Sequence, residues 1–231
     1  MTREQFVDEV LKLGVEVTDF HLDLLDKYYK LLIEWNEKIN LTSITNYEEV
    51  YLKHFYDSLT VCKVIDLNNE ESFCDVGTGA GFPGIVIKIF FPHLKMTLVD
   101  ALNKRVNFLK IVISDLNLKD IEVVHARAEE FALDNREIFD VVCSRAVAAM
   151  NVLLEFCLPM VKISKYFIAL KGKNLDEYSF ALSKLNGKVI DENHFYLPIE
   201  KSERTIIKVQ KTAKTSLKYP RRFSEIKKRP L

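Results

Sequence analysis

The chain has 231 residues, 48% hydrophobic and 29% charged, with 33 basic and 33 acidic side chains that cancel at neutral pH. Such a balance is ordinary for a globular protein, and the length suits one large domain or a domain with an extension. No apolar run approaches the ~20 residues a membrane helix needs, and the polar start Met1-Thr-Arg-Glu-Gln5 lacks the apolar core of a signal peptide, so a cytoplasmic protein without a membrane partner is expected. The four cysteines (Cys62, Cys74, Cys143, Cys157) are far apart and form no C-x-x-C pair. They read as buried thiols of a reducing compartment, not as zinc ligands.

Residues 1–66 read as a helical extension. Thr2-Arg-Glu-Gln5 resembles a capping box. A long helix is expected from Thr18 to about Ile39, where Leu24, Leu25, Tyr28, Leu31, Leu32, Trp35 and Ile39 recur at three- and four-residue steps. Asn46 offers a cap for a further helix through Val64, and Asp66 to Glu71 form a polar connector. From Ser72 the period changes. Strands are expected at 72–76, 95–100, 121–125, 139–144 and 165–171, with helices near 83–91, 103–117, 149–162 and 174–185. That alternation predicts an α/β fold with a mostly parallel sheet covered on both faces. After Gly187 two β-rich runs, 188–197 and 204–211, are too close for an intervening helix and predict an antiparallel hairpin at the edge, giving a seven-stranded sheet. The expected division is a helical extension over 1–66, an α/β domain over 67–212 and a basic tail over 213–231. From Lys201 to Leu231 eleven Lys or Arg face two Glu, a local charge of +9 balanced by −9 elsewhere. Such a block marks either contact with a polyanion or solvated strand faces and a mobile tail.

The most informative segment follows the first strand: Asp75-Val-Gly-Thr-Gly-Ala-Gly-Phe-Pro-Gly84. Four of the chain's seven glycines (Gly77, Gly79, Gly81, Gly84) fall in eight residues between a strand and a helix. A plain turn needs one or two, so a nucleotide-like ligand lying close to bare backbone is the natural reading. Gly79 to Gly84 fits the dinucleotide pattern G-x-G-x-x-G, which alone is weak. Asp75 would repel a pyrophosphate but attract a cation, and Pro83, expected in the first helical turn, removes an N–H that a phosphate site would use. S-adenosylmethionine, cationic and free of phosphate, suits the turn better. Asp100, ending the second strand, can bond both ribose hydroxyls, which also happens in nicotinamide sites. Five alternating strands and a terminal hairpin follow the order of Rossmann-like methyltransferases, whereas a nicotinamide dehydrogenase would continue with βα units. A nicotinamide-dependent oxidoreductase and a non-catalytic RNA-binding module are the competing readings.

The remaining strand ends supply further candidates. After the third, Ala128 and Glu129 either meet an adenine edge or simply open a helix, where Glu complements the dipole. The fourth ends in Arg145, a cation that needs a carboxylate, a phosphate or a wet cleft. The fifth ends in Lys171, on the same rim, so Arg145 and Lys171 could position a phosphate backbone. The fourth strand lacks the Asn/Asp-Pro-Pro-aromatic motif that holds an exocyclic amine, and no Pro-Cys pair is present for attack on a pyrimidine. An acceptor that is already nucleophilic, such as guanine N7, fits these absences, because catalysis then reduces to alignment.

Together these residues resemble the RsmG (GidB) family of bacterial small-subunit ribosomal RNA methyltransferases. The resemblance is carried by Trp35-Asn36, Asn40-Leu-Thr42, His54-Phe-Tyr-Asp-Ser-Leu59, the glycine turn, Asp100-Ala-Leu-Asn-Lys-Arg105, Arg127-Ala-Glu129, Ser144-Arg-Ala146, Leu170-Lys-Gly172 and Tyr219-Pro-Arg221. It implies a class I methyltransferase fold, S-adenosylmethionine as cofactor, and methylation of guanine N7 in the 530 loop of 16S rRNA, presented as RNA or within a 30S particle; nothing in the sequence demands more than a monomer with no obligate protein partner. It further implies that Gly77 and Phe82 line the cofactor, that Ala128 and Glu129 meet its adenine, that Asp100 takes its ribose and that Arg145 stands at the mouth. His54, Asp57 and Ser58 belong to the motif, with a helix-packing hydrogen-bond network as their simplest role. Arg222-Phe-Ser-Glu-Ile226 stands where many relatives have a Gly/Pro-rich stretch.

Overall fold

The computed structural model describes residues 1–145, 148–172 and 177–231. The extension opens with α1 (Arg3–Leu11), where Thr2 and Gln5 exchange the expected capping-box hydrogen bonds. Helix α2 (Asp19–Ile39) is capped by the same exchange between Thr18 and His21 and breaks at Asn40, whose backbone is left-handed. Its stripe of Leu25, Tyr28 and Leu32 is fully buried. From Tyr47 to Lys63 the chain stays helical while its winding changes. It passes from α3 (Tyr47–Val50) through a π segment (Tyr51–Tyr56) to α4 (Asp57–Leu59) and a 3-10 turn (Thr60–Lys63). Widened turns of this kind are frequent at functional sites, and this one carries His54.

Strands β1 (Ser72–Val76), β2 (Lys95–Asp100), β3 (Ile121–His125), β4 (Phe139–Arg145), β5 (Val161–Lys171), β6 (Gly187–Tyr196) and β7 (Glu203–Lys211) form one sheet in the order β3-β2-β1-β4-β5-β7-β6. The first five run parallel, and β7 lies antiparallel between β5 and β6. Alternation divides the strand side chains between two cores. Phe73, Leu98, Val141 and Cys143 pack with α1, α2, α5 (Gly84–Phe90) and α6 (Asn103–Asp115). Cys74, Val76, Val99 and Val142 pack with α7 (Ala128–Asp134), α8 (Met150–Cys157) and α9 (Ser179–Leu185). Helices on both faces explain why β1 and β4 are almost wholly buried. The first core runs from Phe6 to Ile206, so the extension and the sheet share one apolar interior. Cys74, Cys143 and Cys157 are buried and Cys62 is half-buried.

Four departures from the sequence reading have local causes. The helix expected over 149–162 stops at Cys157, because Pro159 has no N–H to continue it, and a short 3-10 turn leads directly into β5 at Val161, earlier than the expected start at 165. Pro83 sits just before α5, after a cis peptide bond, rather than inside its first turn. The helix expected over 174–185 is described from Ser179; residues 174–176 of that expectation, and Ala146, lie outside the described residues. The C-terminal segment is docked, not a free tail. Arg136 donates to the carbonyls of Thr215 and Tyr219, Glu155 accepts three hydrogen bonds from Arg221, and Ile226 of α10 (Phe223–Lys228) is fully buried.

Candidate active site

The glycine turn is braced from the side of the sheet and the extension. Asp75 is fully buried on the face shared with the extension. Its Oδ2 accepts from Thr78 Oγ1 at 2.7 Å and from the Gly84 amide at 2.8 Å, while Oδ1 has no partner among the described residues. Burial pushes its carboxyl up to about 6. Asp75 lines neither cavity described below, so what it contributes there is the shape of the turn. Gly81, at φ +100°, presses against α2, and a Cβ there would lie 2.5 Å from the Tyr28 hydroxyl. That hydroxyl donates to the Ala80 carbonyl, so the long helix of the extension fixes the turn directly.

In front of the turn, at the C-terminal ends of the strands, two cavities meet. The first, about 490 Å³, is lined by Gly77, Gly79, Phe82, Asp100, Arg105 and Arg145 together with Thr42 and His54 of the extension. The second, about 160 Å³, is lined by Val99, Ala126, Ala128 and Glu129 and by Phe156 and Phe223. Gly77, Asp100 and Ala101 border both, making one trough of the size that small ligands occupy. Asp100 is anchored by the amides of Gly79 (2.9 Å) and Leu102 (2.8 Å), with Arg105 at 3.5 Å. Glu129 is buried with no hydrogen-bond partner among the described residues, and no side chain caps α7. The turn therefore brings Gly77, Gly79, Phe82, Asp100, Ala128, Glu129 and Arg145 to one trough and leaves Asp75 and Gly81 behind it.

Arg145 has its carboxylate. Its Nη1 donates to Asp57 Oδ2 and to the Lys53 carbonyl, both at 3.2 Å, while Asp57 Oδ1 accepts from Arg204 Nε of β7 at 2.9 Å. Arg145 Nη2 faces His54 Nδ1 at 3.4 Å, and His54 Nε2 lies 2.9 Å from Thr42 Oγ1. An acceptor at Nδ1 leaves the proton on Nε2, donating to Thr42. The loop carrying Thr42 is fixed by Asn36, whose Oδ1 accepts from the Leu41 and Thr42 amides. His54 also stacks on Phe82 at 4.4 Å, and the Arg145 guanidinium lies 5.2 Å from the same ring. Burial, then the neighbouring Arg145 charge, pushes the His54 imidazole down to about 3, so it is neutral at physiological pH. The motif residues of the extension thus form a network, with Ser58 Oγ returning to the His54 carbonyl at 2.5 Å. A third cavity, about 320 Å³, shares His54 and Arg145 with the first and adds Lys53, Lys171 and Arg204. Arg145 and Lys171 do share a rim, and Lys171 Nζ donates only to the Ala148 carbonyl among the described residues.

A family model described as rRNA small subunit methyltransferase G, GidB, matches residues 21–205. The chain belongs to the GidB family. Over 237 aligned residues it is 49% identical to ribosomal RNA small subunit methyltransferase G of Exiguobacterium sibiricum, covering all of both chains, and it is 48% identical to the Macrococcus caseolyticus protein of the same name, covering 100% and 99%. Among solved structures, a SAM dependent methyltransferase from Aquifex aeolicus superposes with a TM-score of 0.54 at 18% identity, covering 72% of this chain and 94% of that one, a likeness of fold. GidB members are S-adenosylmethionine-dependent methyltransferases. Family membership and the terminal hairpin set aside the nicotinamide reading. Within the described residues no helix is long and apolar enough to cross a membrane.

Sequence reasoning missed four residues that line or brace these cavities: Asp57 as the partner of Arg145, Arg204 as the second partner of Asp57, and Phe156 and Phe223 as walls of the second cavity. Asp57 carried a signal, since an arginine ending a buried strand demands an acid and Asp57 stood in a motif without a role. Phe223 carried a weaker one, an apolar pair with Ile226 at helical spacing inside a basic segment.

Proposed function

We propose that this chain transfers the methyl group of S-adenosylmethionine to N7 of a guanine in the 530 loop of 16S rRNA, with the nucleic acid entering as RNA or as part of a 30S particle. The lining of the first cavity carries the reading. Among its described residues none is placed as a general base: Asp100 is held by two amides, His54 is neutral with its Nδ1 turned to Arg145, and Arg105 and Arg145 are cations. Guanine N7 has a free lone pair and loses no proton when methylated, so a site that only aligns reactants is sufficient for it.

The trough suits the cofactor. When bound, S-adenosylmethionine supplies an electrophilic methyl carbon on a sulfonium. Asp100, facing both cavities, would accept from ribose hydroxyls with the lone pairs its two amides leave free. The uncapped start of α7 offers the Ala128 and Glu129 amides to ring nitrogens, and the Glu129 carboxylate offers an acceptor to the exocyclic amine, the donor and acceptor pattern of an adenine edge. Gly77 and Gly79 let the ligand lie against backbone, and Phe82 with Arg145 closes the side toward the extension. Lys171, Lys53 and Arg204 around the third cavity present positive charge beside the reactive end, where Lys171 and Arg145 would position RNA phosphates.

The test is mass spectrometry of 16S rRNA from cells lacking the gene and from cells complemented with it. Loss of 7-methylguanosine from the 530 loop, restored on complementation, is expected; an unchanged level in the deletion rejects the assignment.

A further inference from the structure

The second cavity has a wall that the sheet does not supply. Phe223, the first residue of α10, lines it opposite Ala128 and Glu129, although it lies some ninety residues beyond them in the chain. Its ring is 6.4 Å from Phe156 at 31°, and the Arg127 guanidinium lies 5.2 Å from its centroid. Phe223 remains 40% exposed, while Ile226 on the same helix is fully buried. The segment is held in place by Arg221, whose backbone amide and guanidinium both donate to the wholly buried Glu155, at 2.6 to 2.9 Å. A six-residue helix anchored at both ends of its first turn therefore holds an aromatic ring beside a narrow slot that also contains uncapped amides and an unpaired carboxylate. Aromatic walls with donors and an acceptor at the end are what a flat heteroaromatic base requires.

We infer that the C-terminal segment is part of the cofactor site, with Phe223 packing against the adenine ring, and that cofactor binding and docking of residues 219–231 stabilise one another. This rests on the reading that the second cavity takes the adenine of S-adenosylmethionine. Reciprocity follows from linkage: if the bound base packs on Phe223, the base favours the docked segment by the same factor that the docked segment favours the base. The segment is suited to the part, because apart from Ile226 its helix is little buried, so local undocking withdraws from the second core only Ile226 and the flanking contacts of Tyr219 and Leu231.

The experiment uses the full-length protein and S-adenosylhomocysteine as probe, with affinity read by calorimetry and docking read by tryptic cleavage at Arg222, Lys227 and Lys228. Removing a base–aromatic stack weakens binding by about 5-fold or more, so Phe223→Ala is expected to lose at least that factor, with Phe223→Tyr within about twofold of the native chain. The probe is expected to slow cleavage of the native segment and not that of Phe223→Ala. Phe223→Leu, which keeps bulk without a ring, guards against a folding defect and is expected to fall between. If the native chain binds the probe and Phe223→Ala binds it equally well, the inference is overturned while the cofactor reading stands. If the native chain does not bind the probe, the cofactor reading itself fails and the inference falls with it.

Discussion

The two ends of the trough are built by the same device with different consequences. At the end beside the extension a buried carboxylate, Asp57, grips Arg145 of β4 and Arg204 of β7, and so ties the extension to the middle and the hairpin of the sheet. At the end proposed to take the adenine a buried carboxylate, Glu155, grips Arg221 and ties down a short terminal helix. The first clamp is surrounded by a core that reaches from Phe6 to Ile206. The second secures a segment whose own helix contributes a single buried side chain. A carboxylate clamp is thus as rigid as what it clamps: one wall can move only if the protein unfolds, the other can release alone.

The sharpest way to break this comparison is Asp57→Ala. Removing the acid leaves two largely buried arginines uncompensated, and loss of one partner from a buried ion pair destabilises by about 3–5 kcal/mol. Urea unfolding should register that loss, and a change below about 1 kcal/mol would mean that the arginines rehydrate and the wall is not locked. A smaller effect should come from His54. Unfolded, its imidazole takes up a proton near 6.5; folded, not until about 3. The unfolded state then binds more protons between those values, so stability falls as pH drops below 6.5, by about 1.4 kcal/mol per unit and about 2 kcal/mol by pH 5. Asp75 works the opposite way below its raised value of about 6, where its buried carboxyl takes a proton more readily than in the unfolded chain. Comparing native chain with His54→Gln isolates the histidine share; identical pH profiles for the two would remove His54 from the account. The smallest effect expected is Lys171→Met, which should leave unfolding unchanged within about 0.5 kcal/mol while reducing the salt slope of single-stranded RNA binding by about 0.7. An unaltered slope would place the RNA backbone elsewhere.

Much of the fold was legible because the central strands β1, β2 and β4 and the second half of β5 are buried on both faces, so each appears as a largely apolar run with, at or next to its end, a residue that cannot be buried cheaply. Asp75, Asp100, Arg145 and Lys171 mark those ends, and the first three strands match their expected bounds. Caps at Thr2, Thr18 and Asn46 were legible for the same local reason. What the sequence concealed depends on contacts between distant residues. Arg145 demands an acid, but no local pattern picks Asp57, on a helix of the extension, from the other carboxylates. Asp75 next to a ligand turn reads as a ligand, yet its use is to accept from Gly84 nine residues on, behind the turn. The basic block of the tail left polyanion contact and mobility both open because its charges stand out; Arg221 and Ile226, which dock it, matter only once α8 is in place beneath them.

Gly84 carries a last consequence. A Cβ there would fall inside the contact distance of Leu98 and within 2.9 Å of Asp75 Oδ2. Strand β1, strand β2 and the start of α5 are therefore separated at this point by hydrogen atoms alone. The spacing between the seat of the donor and the sheet beneath is set like a gauge block, with no slack to be taken up as reactants arrive. Whatever adjustment the trough makes to a guest must come from its sides, and the floor serves as its fixed datum.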